Sequence, residues 1–120
     1  MLDHIGLKVT NLAASKRFYT AALAPLGYNV QYEGDGALGF GTKGAPAFWL
    51  GQGEQHGFAH IAFSAKDRAA VNAFHAAALP VGGKDNGAPG VRPDYHANYY
   101  AAFVTDPDGN NVEAVCHSAQ

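Results

Sequence analysis

Three side chains of this sequence have the types and placement to share a cation. His4 and His60 each stand directly before an isoleucine at the head of two similar stretches, and Glu113 lies near the far end of the chain. A neutral imidazole offers a nitrogen lone pair and a carboxylate offers negative charge. Two His and one carboxylate could therefore hold a divalent ion with coordination positions left open, the ligand set of non-haem Fe(II) and one that also suits Zn, Mn, Ni or Co. The single cysteine, Cys116, excludes an internal disulfide and any Cys-rich zinc cluster, so a metal would have to be held by His and carboxylates. A solitary strand histidine is more often structural. Two at equivalent positions of a repeat, with a glutamate on the same face, point instead to metal.

Positioning these groups requires a duplicated scaffold. Residues 3–28, DHIGLKVTNLAASKRFYTAALAPLGY, align without gaps to residues 59–84, AHIAFSAKDRAAVNAFHAAALPVGGK, with identities that include His4/His60, Ile5/Ile61, Phe18/Phe74, Leu23/Leu79 and Gly27/Gly83. Each copy opens as a strand of alternating character and passes into a helix. The first helix has Asn11 as its N-cap and a stripe of Leu12, Ser15, Phe18 or Tyr19, Ala22 and Leu26; the second runs from about Asp67 to Leu79 with Val71, Phe74 and Ala78 on its stripe. Strands are expected over 28–33, 37–41 and 46–51 after the first helix, and near 81–84, over 98–105 and over 111–116 after the second. Asp106-Pro107-Asp108-Gly109 reads as a hairpin turn, with Pro where φ is preset and Gly where φ is often positive. The expected fold is α+β, two tandem β-α-β-β-β modules in one domain: module one about 1–52, a linker about 52–57, and module two about 58–117.

Strand parity then sorts the faces. Ile5, Leu7 and Val9 should pack under the first helix while His4, Gly6 and Lys8 point away; Ile61, Phe63 and Ala65 pack while His60, Ala62 and Ser64 point away. In the last strand Val112, Ala114 and Cys116 face the helix, and Glu113, Val115 and His117 lie opposite. Both histidines and Glu113 therefore fall on the sheet surface that no helix covers, with Cys116 an inert core thiol. Asn29, Gln31 and Glu33 share a parity against Tyr28, Val30 and Tyr32, which makes that surface polar in module one as well.

Between Lys84 and Asn98 the sequence DNGAPGVRPDYHA is too long for a hairpin turn and rich in Gly and Pro, so it reads as a lid or binding loop. Arg92 could clamp a substrate carboxylate there, and Tyr95, His96, Tyr99 and Tyr100 could supply hydrogen bonds or proton transfer near a metal. His96 and Tyr100 are the candidates for proton transfer beside Glu113; Tyr95 and Tyr99 are candidates for substrate binding. His56 sits in the Gly-rich GQGEQHG linker and should be solvated, His75 should pack at a helix edge, and His117 is a rim candidate.

Composition narrows the partners. Of 120 residues, 48% are hydrophobic and 15% charged, with a net charge of −2 and no basic block, so nucleic acid is not an expected partner. No apolar run approaches the roughly 20 residues that span a bilayer, and the start lacks the order of a signal peptide, so a cytoplasmic protein with no membrane partner is expected.

The opening DHIGLKV, the helix SKRFYTAALAPLGY, the second opening AHIAFSA and the ending FVTDPDGNNVEAV, in which the DPDG turn is followed four residues later by Glu113, resemble the vicinal oxygen chelate superfamily across nearly the whole chain. That superfamily groups glyoxalase I, bleomycin-resistance proteins and extradiol dioxygenases. The resemblance implies a curved mixed β-sheet around a concave metal and substrate cleft, a divalent metal held by His4, His60 and Glu113, a small-molecule substrate and a homodimer. It places the fourth ligand position on Trp49, where glyoxalase I enzymes carry a carboxylate base; Trp49 can only wall the substrate. The remaining triad is closer to that of extradiol dioxygenases. Lyase or isomerase chemistry, extradiol-type oxygenation, metal-free drug sequestration of the bleomycin-resistance type, and a dimeric scaffold or stress protein with a vestigial site all stay open.

Overall fold

Apolar residues at alternate strand positions and along one stripe of each helix can leave water only by facing each other, and this pairing builds both halves of the molecule. The structure is a computed structural model that describes residues 2–119. Module one comprises β1 (Ile5–Val9), α1 (Leu12–Leu23), β2 (Asn29–Gly34), β3 (Ala37–Thr42) and β4 (Ala45–Gln52); module two comprises β5 (His60–Ser64), α2 (Arg68–Ala78), β6 (Lys84–Val91), β7 (Tyr100–Thr105) and β8 (Asn111–Cys116). Each module makes its own four-stranded mixed sheet, ordered β1-β4-β3-β2 and β5-β8-β7-β6, in which the first and last strands run parallel. The fold is the expected α+β pair of β-α-β-β-β units.

Both helices start as their sequences dictate. Asn11 Oδ1 accepts from the Ala14 N–H at 3.0 Å and Asp67 Oδ1 from the Ala70 N–H at 2.8 Å, each satisfying a backbone donor that the first turn leaves without a partner. Both end in a proline-containing 3-10 turn closed by a left-handed glycine, Gly27 (φ 87°) and Gly82 (φ 96°). The structural counterpart of Gly27 is thus Gly82, and the gapless match to Gly83 is a coincidence: α1 has 12 residues and α2 has 11.

The two helices pack against each other, and one continuous core joins the modules. Phe48 of β4 meets Phe63 of β5 edge-on at 5.1 Å, and Tyr28 lies 6.1 Å from the same ring. The helix-side faces of both sheets therefore look inward at each other, and the helix-free faces look outward. This arrangement decides how the candidate ligands are distributed.

Two expectations need correction. The region after Lys84 is not one long loop: residues 84–91 form β6, paired with β7, and only residues 92–99 connect them. Its glycines and proline hide the strand because β6 is irregular, its register slipping between Asp85 and Gly87 and again between Gly87 and Gly90. In β2 the register also slips, between Val30 and Tyr32. An extra residue reverses the parity beyond it. Tyr32 consequently turns to the open face, opposite Gly39, and Glu33 turns toward α1, where it pairs with Lys16 at 2.7 Å. The open face of module one is less polar than the simple alternation implies.

The turn at 106–109 is a structural knot. The buried Asp106 accepts from the backbone N–H groups of Asp108 (3.0 Å) and Asn110 (2.8 Å), from the Asn110 side chain (3.0 Å) and from the buried Tyr19 hydroxyl of α1 (2.5 Å). Burial and the neighbouring Asp106 charge hold the Tyr19 hydroxyl well above its ordinary pKa. Asp108 accepts from Thr10, and Asn110 Oδ1 from the Ala59 N–H at 2.8 Å. The turn thereby ties α1, the segment before β5 and the start of β8 together.

Candidate functional site

On the open face of module two, β5 and β8 run parallel with Ala62 opposite Glu113 and His60 opposite Asn111. His60 and Ala62 share a face, so the His60 imidazole can lean across to the neighbouring strand. Its Nε2 lies 2.8 Å from Glu113 Oε1. The Tyr99 hydroxyl donates to the other oxygen, Oε2. Glu113 is 1% exposed, whereas the His60 side chain is 55% exposed. A carboxylate taken this far out of water needs a donor on each oxygen, and these two supply them. Loss of water first, then the hydrogen bond to and charge of Glu113, push the Tyr99 hydroxyl up to about 12. Tyr99 therefore stays protonated, as a donor, throughout the neutral range.

Tyr99 is held from three sides. Tyr95 packs edge-on at 4.9 Å, His96 at 5.5 Å and His117 at 5.2 Å. His96 and His117 stack at 4.8 Å with Nε2 and Nδ1 2.6 Å apart, so the connector is clipped to the end of β8. Backbone bonds within 92–99 tighten it further: Arg92 N–H to Tyr99 O at 2.7 Å, Tyr95 N–H to Arg92 O at 3.0 Å and Tyr99 N–H to His96 O at 3.2 Å. The connector is a knit turn whose aromatic residues pack on one another and deliver a single hydroxyl to the carboxylate.

The remaining candidates divide by face. Arg92 lies on the open side, its guanidinium 5.4 Å from the centroid of the Phe103 ring. Phe103 is opposite Glu113 in the β7–β8 ladder and 6.3 Å from the His60 ring. Tyr100, one residue on from Tyr99, points to the helix side: its hydroxyl donates to Asn72 Oδ1 at 2.6 Å and Arg68 covers its ring at 4.9 Å. Tyr100 opens β7 opposite Cys116, on its helix-facing side, which removes it from the group around Glu113.

Trp49 occupies the place in module one that Glu113 occupies in module two, because Gly6 opposes Trp49 as Ala62 opposes Glu113. Its indole lies over Gly39, where a Cβ would sit 2.9 Å from the ring, and meets Tyr32 edge-on at 5.5 Å. Indole cannot ligate a cation, but this aromatic surface can stack on a flat molecule.

His4 does not join His60 and Glu113. It is 61% exposed, with Nδ1 2.7 Å from Asp3 Oδ1, and lines a groove of 410 Å³ together with Ile5, Tyr28, Phe48, Ala62 and Phe63. Neither His60 nor Glu113 lines that groove. Among the described residues, no three His, Cys, Asp or Glu side chains converge as metal ligands within the chain. His4 stands just before β1 and lines a groove walled largely by core residues such as Phe48 and Phe63, away from the face that carries His60 and Glu113. One chain thus presents the hydrogen-bonded pair His60–Glu113 and, separately, His4. His75 binds Asp85 at 2.9 Å and His56 lies 3.9 Å from Glu54, both outside the group.

Sequence reasoning missed Phe103, Tyr32 and Gly39 as parts of these surfaces and underrated His117. Parity could have found Phe103, which is two residues from Ala101 on a strand with a clear inner face; Tyr32 is concealed by the bulge.

A family model for the Glyoxalase/Bleomycin resistance protein/Dioxygenase superfamily matches residues 1–114. Among solved structures, a glyoxalase/bleomycin resistance protein from Albidiferax ferrireducens superposes with a TM-score of 0.83 at 27% identity, over 96% of this chain and 97% of that one. A lactoylglutathione lyase from Agrobacterium tumefaciens gives 0.69 at 18% identity, over 97% and 92%. A glyoxalase I mutant from Zea mays gives 0.71 at 23% identity, over 95% of this chain and 45% of that one. Curated proteins gave no match by sequence. The duplicated module, the DPDG turn that seats Glu113 and the sequence match over nearly the whole length converge, and the chain belongs to the Glyoxalase/Bleomycin resistance protein/Dioxygenase superfamily.

Proposed function

We propose that this protein is a divalent-metal-dependent enzyme of its superfamily, acting on a small oxygenated organic molecule through two vicinal oxygens. The observation that carries the reading is Glu113: a carboxylate 1% exposed, aimed at the helix-free face and joined to His60. The space between His60 Nε2 and Glu113 Oε1, now bridged by a proton, suits a cation that would replace that proton. Among the described residues, no third ligand from the same chain reaches it. The proposed site therefore includes His4 of a second copy, making the working unit a homodimer with each cleft built from module one of one chain and module two of the other.

A divalent ion there would polarise adjacent oxygens of a bound substrate as a Lewis acid. The chain's own groups do the rest. Glu113 is the carboxylate positioned to accept a proton from the substrate, and Tyr99 fixes its orientation and remains a donor at neutral pH. Trp49 stands where a second carboxylate would be needed for a two-base isomerisation, so proton movement is left to Glu113, and the aromatic pair Trp49–Tyr32 walls the opposite side. Lyase or isomerase chemistry and extradiol-type oxygenation both remain compatible with this set.

One observation favours the alternative, a metal-free binding protein of the bleomycin-resistance kind: both Glu113 oxygens already have protein donors. Metal analysis of untagged protein over a dilution series separates the readings. The enzyme reading expects about one ion per chain, lost in His60→Ala and in His4→Ala and released on dilution to monomers. Metal-free protein, with ligand affinity indifferent to both substitutions, would establish the binding reading instead. Anaerobic iron loading followed by a catechol and oxygen then tests for ring cleavage, and a thiol-derived hemithioacetal tests for isomerisation.

A further inference from the structure

The irregular strand β6 has a purpose that the metal reading leaves unexplained. Its two register slips fall at Asp85/Gly87 and Gly87/Gly90, so both breaks involve a glycine. At Gly87 (φ 151°) an added Cβ would lie 2.9 Å from the Phe103 ring and 3.2 Å from Arg92 Nη2; at Gly90 it would lie 3.1 Å from Arg92 Nη1. The missing side chains are the space that the guanidinium occupies. One N–H from Nη2 is committed to the Ala88 carbonyl at 2.8 Å, and Phe103 supports the flat face of the cation. Arg92 is thus seated in a cradle rather than waving in water, and among the described residues no carboxylate pairs with it. A guanidinium has five N–H donors in a fixed fork, so most of its donor edge remains available to an anion.

Strand register bounds how far the cradle lies from the proposed reaction centre. Phe103 is opposite Glu113 on one side and opposite Gly87 on the other. With neighbouring strands about 4.8 Å apart, Arg92 lies on the order of 5–10 Å from the Glu113 carboxylate across the face of the sheet. That separation is the length of a six-membered ring with its substituents.

We infer that Arg92 is a specificity-determining residue that selects an anionic substrate, one whose carboxylate or similar anion sits about a ring's length from the vicinal oxygens. The inference rests on the proposed small-molecule site on this face and names its substrate class. Gly87 and Gly90 are the positioning residues that make room for the cation.

Calorimetric titration of the intact protein with two isosteric probes tests it: 3,4-dihydroxybenzoate, and 4-methylcatechol, in which a methyl group replaces the carboxylate. The wild type should bind the carboxylate probe about tenfold more tightly, the worth of a charge-assisted fork. Arg92→Met should bring the carboxylate probe to the level of the methyl probe and leave the latter unchanged. Gly90→Ala, which keeps the charge but displaces the guanidinium, should narrow the preference as well. Equal binding of both probes to the wild type, or a preference that survives Arg92→Met, overturns the anion selectivity while leaving the small-molecule site intact. Failure of both probes to bind overturns this inference together with the reading beneath it.

Discussion

Replacing Tyr99 by phenylalanine removes one oxygen and nothing else, and the structure states what that oxygen does. It donates to Glu113 Oε2 in a place where the carboxylate is 1% exposed. A hydrogen bond to a charged group contributes about 1.5–3 kcal/mol, and a buried acceptor left without its donor costs a similar amount. Tyr99→Phe should therefore destabilise the protein by about 1.5–3 kcal/mol, or lower Tm by roughly 5–12 °C for a domain of this size. Urea unfolding at pH 7, followed by far-ultraviolet circular dichroism, measures the difference. The pH dependence follows from the sign of the shift. Tyr99 in the folded protein ionises at about 12, above its ordinary value of about 10, so its contribution is fully present below pH 10 and is lost between pH 10 and 12. The stability gap between wild type and Tyr99→Phe should be constant from pH 7 to 9 and close above 10. Tyrosinate absorbance should meanwhile show that Tyr99→Phe has lost one late-titrating tyrosine, and Glu113→Gln should let that tyrosine ionise earlier. An unchanged urea midpoint in Tyr99→Phe, or an unchanged late titration, would refute the argument that Tyr99 holds Glu113.

Asp106→Ala should be more damaging, by about 3 kcal/mol or more, because four donors lose their acceptor at once; urea unfolding checks this, and a loss below 1 kcal/mol would show the turn to be held by other means. Gly39→Ala places a Cβ 2.9 Å from the indole and should cost about 1–3 kcal/mol through overpacking, with a change in the emission of Trp49, the chain's single tryptophan. The Asp85 carboxyl is held below its ordinary value, first by the hydrogen bond from His75 and then by the Gly87 N–H, so its stabilising effect is present above the ordinary carboxylate range and lost as the pH falls through the folded value. In His75→Ala the carboxyl should titrate at higher pH by NMR; an unmoved titration would assign the shift to the backbone alone.

The position of Trp49 bears on how such a scaffold diversifies. Two modules built to one plan give equivalent open faces, but Glu113 makes one face acidic and Trp49 makes the other aromatic. Each face is supported to match. Glu113 has donors from β5 and from the 92–99 connector, whereas Trp49 has a glycine beneath it and Tyr32 at its edge. The faces therefore differ in chemistry while sharing a backbone.

Elements governed by neighbours a few residues apart were legible before any coordinates. Asn11 and Asp67 cap their helices because a short polar side chain reaches only the next turn, and the inward set Ile5, Leu7, Val9 with its counterpart Ile61, Phe63 follows from the two-residue period of a strand. His60 and Glu113 were placed on one face by the same rule. What that rule could not supply was any quantity depending on contacts far apart in the chain. The bulge that turns Tyr32 outward and the slips that make room for Arg92 arise between strands, where an extra residue is accommodated by the partner rather than announced by its own sequence. Tyr99 and Tyr100 look alike in sequence, and only the ladder assigns one to Glu113 and the other to Asn72. Above all, the separation of His4 from His60 and Glu113 was decided by how the two modules pack into one core, which leaves His4 in a groove beside Phe48 and Phe63 rather than beside His60 and Glu113.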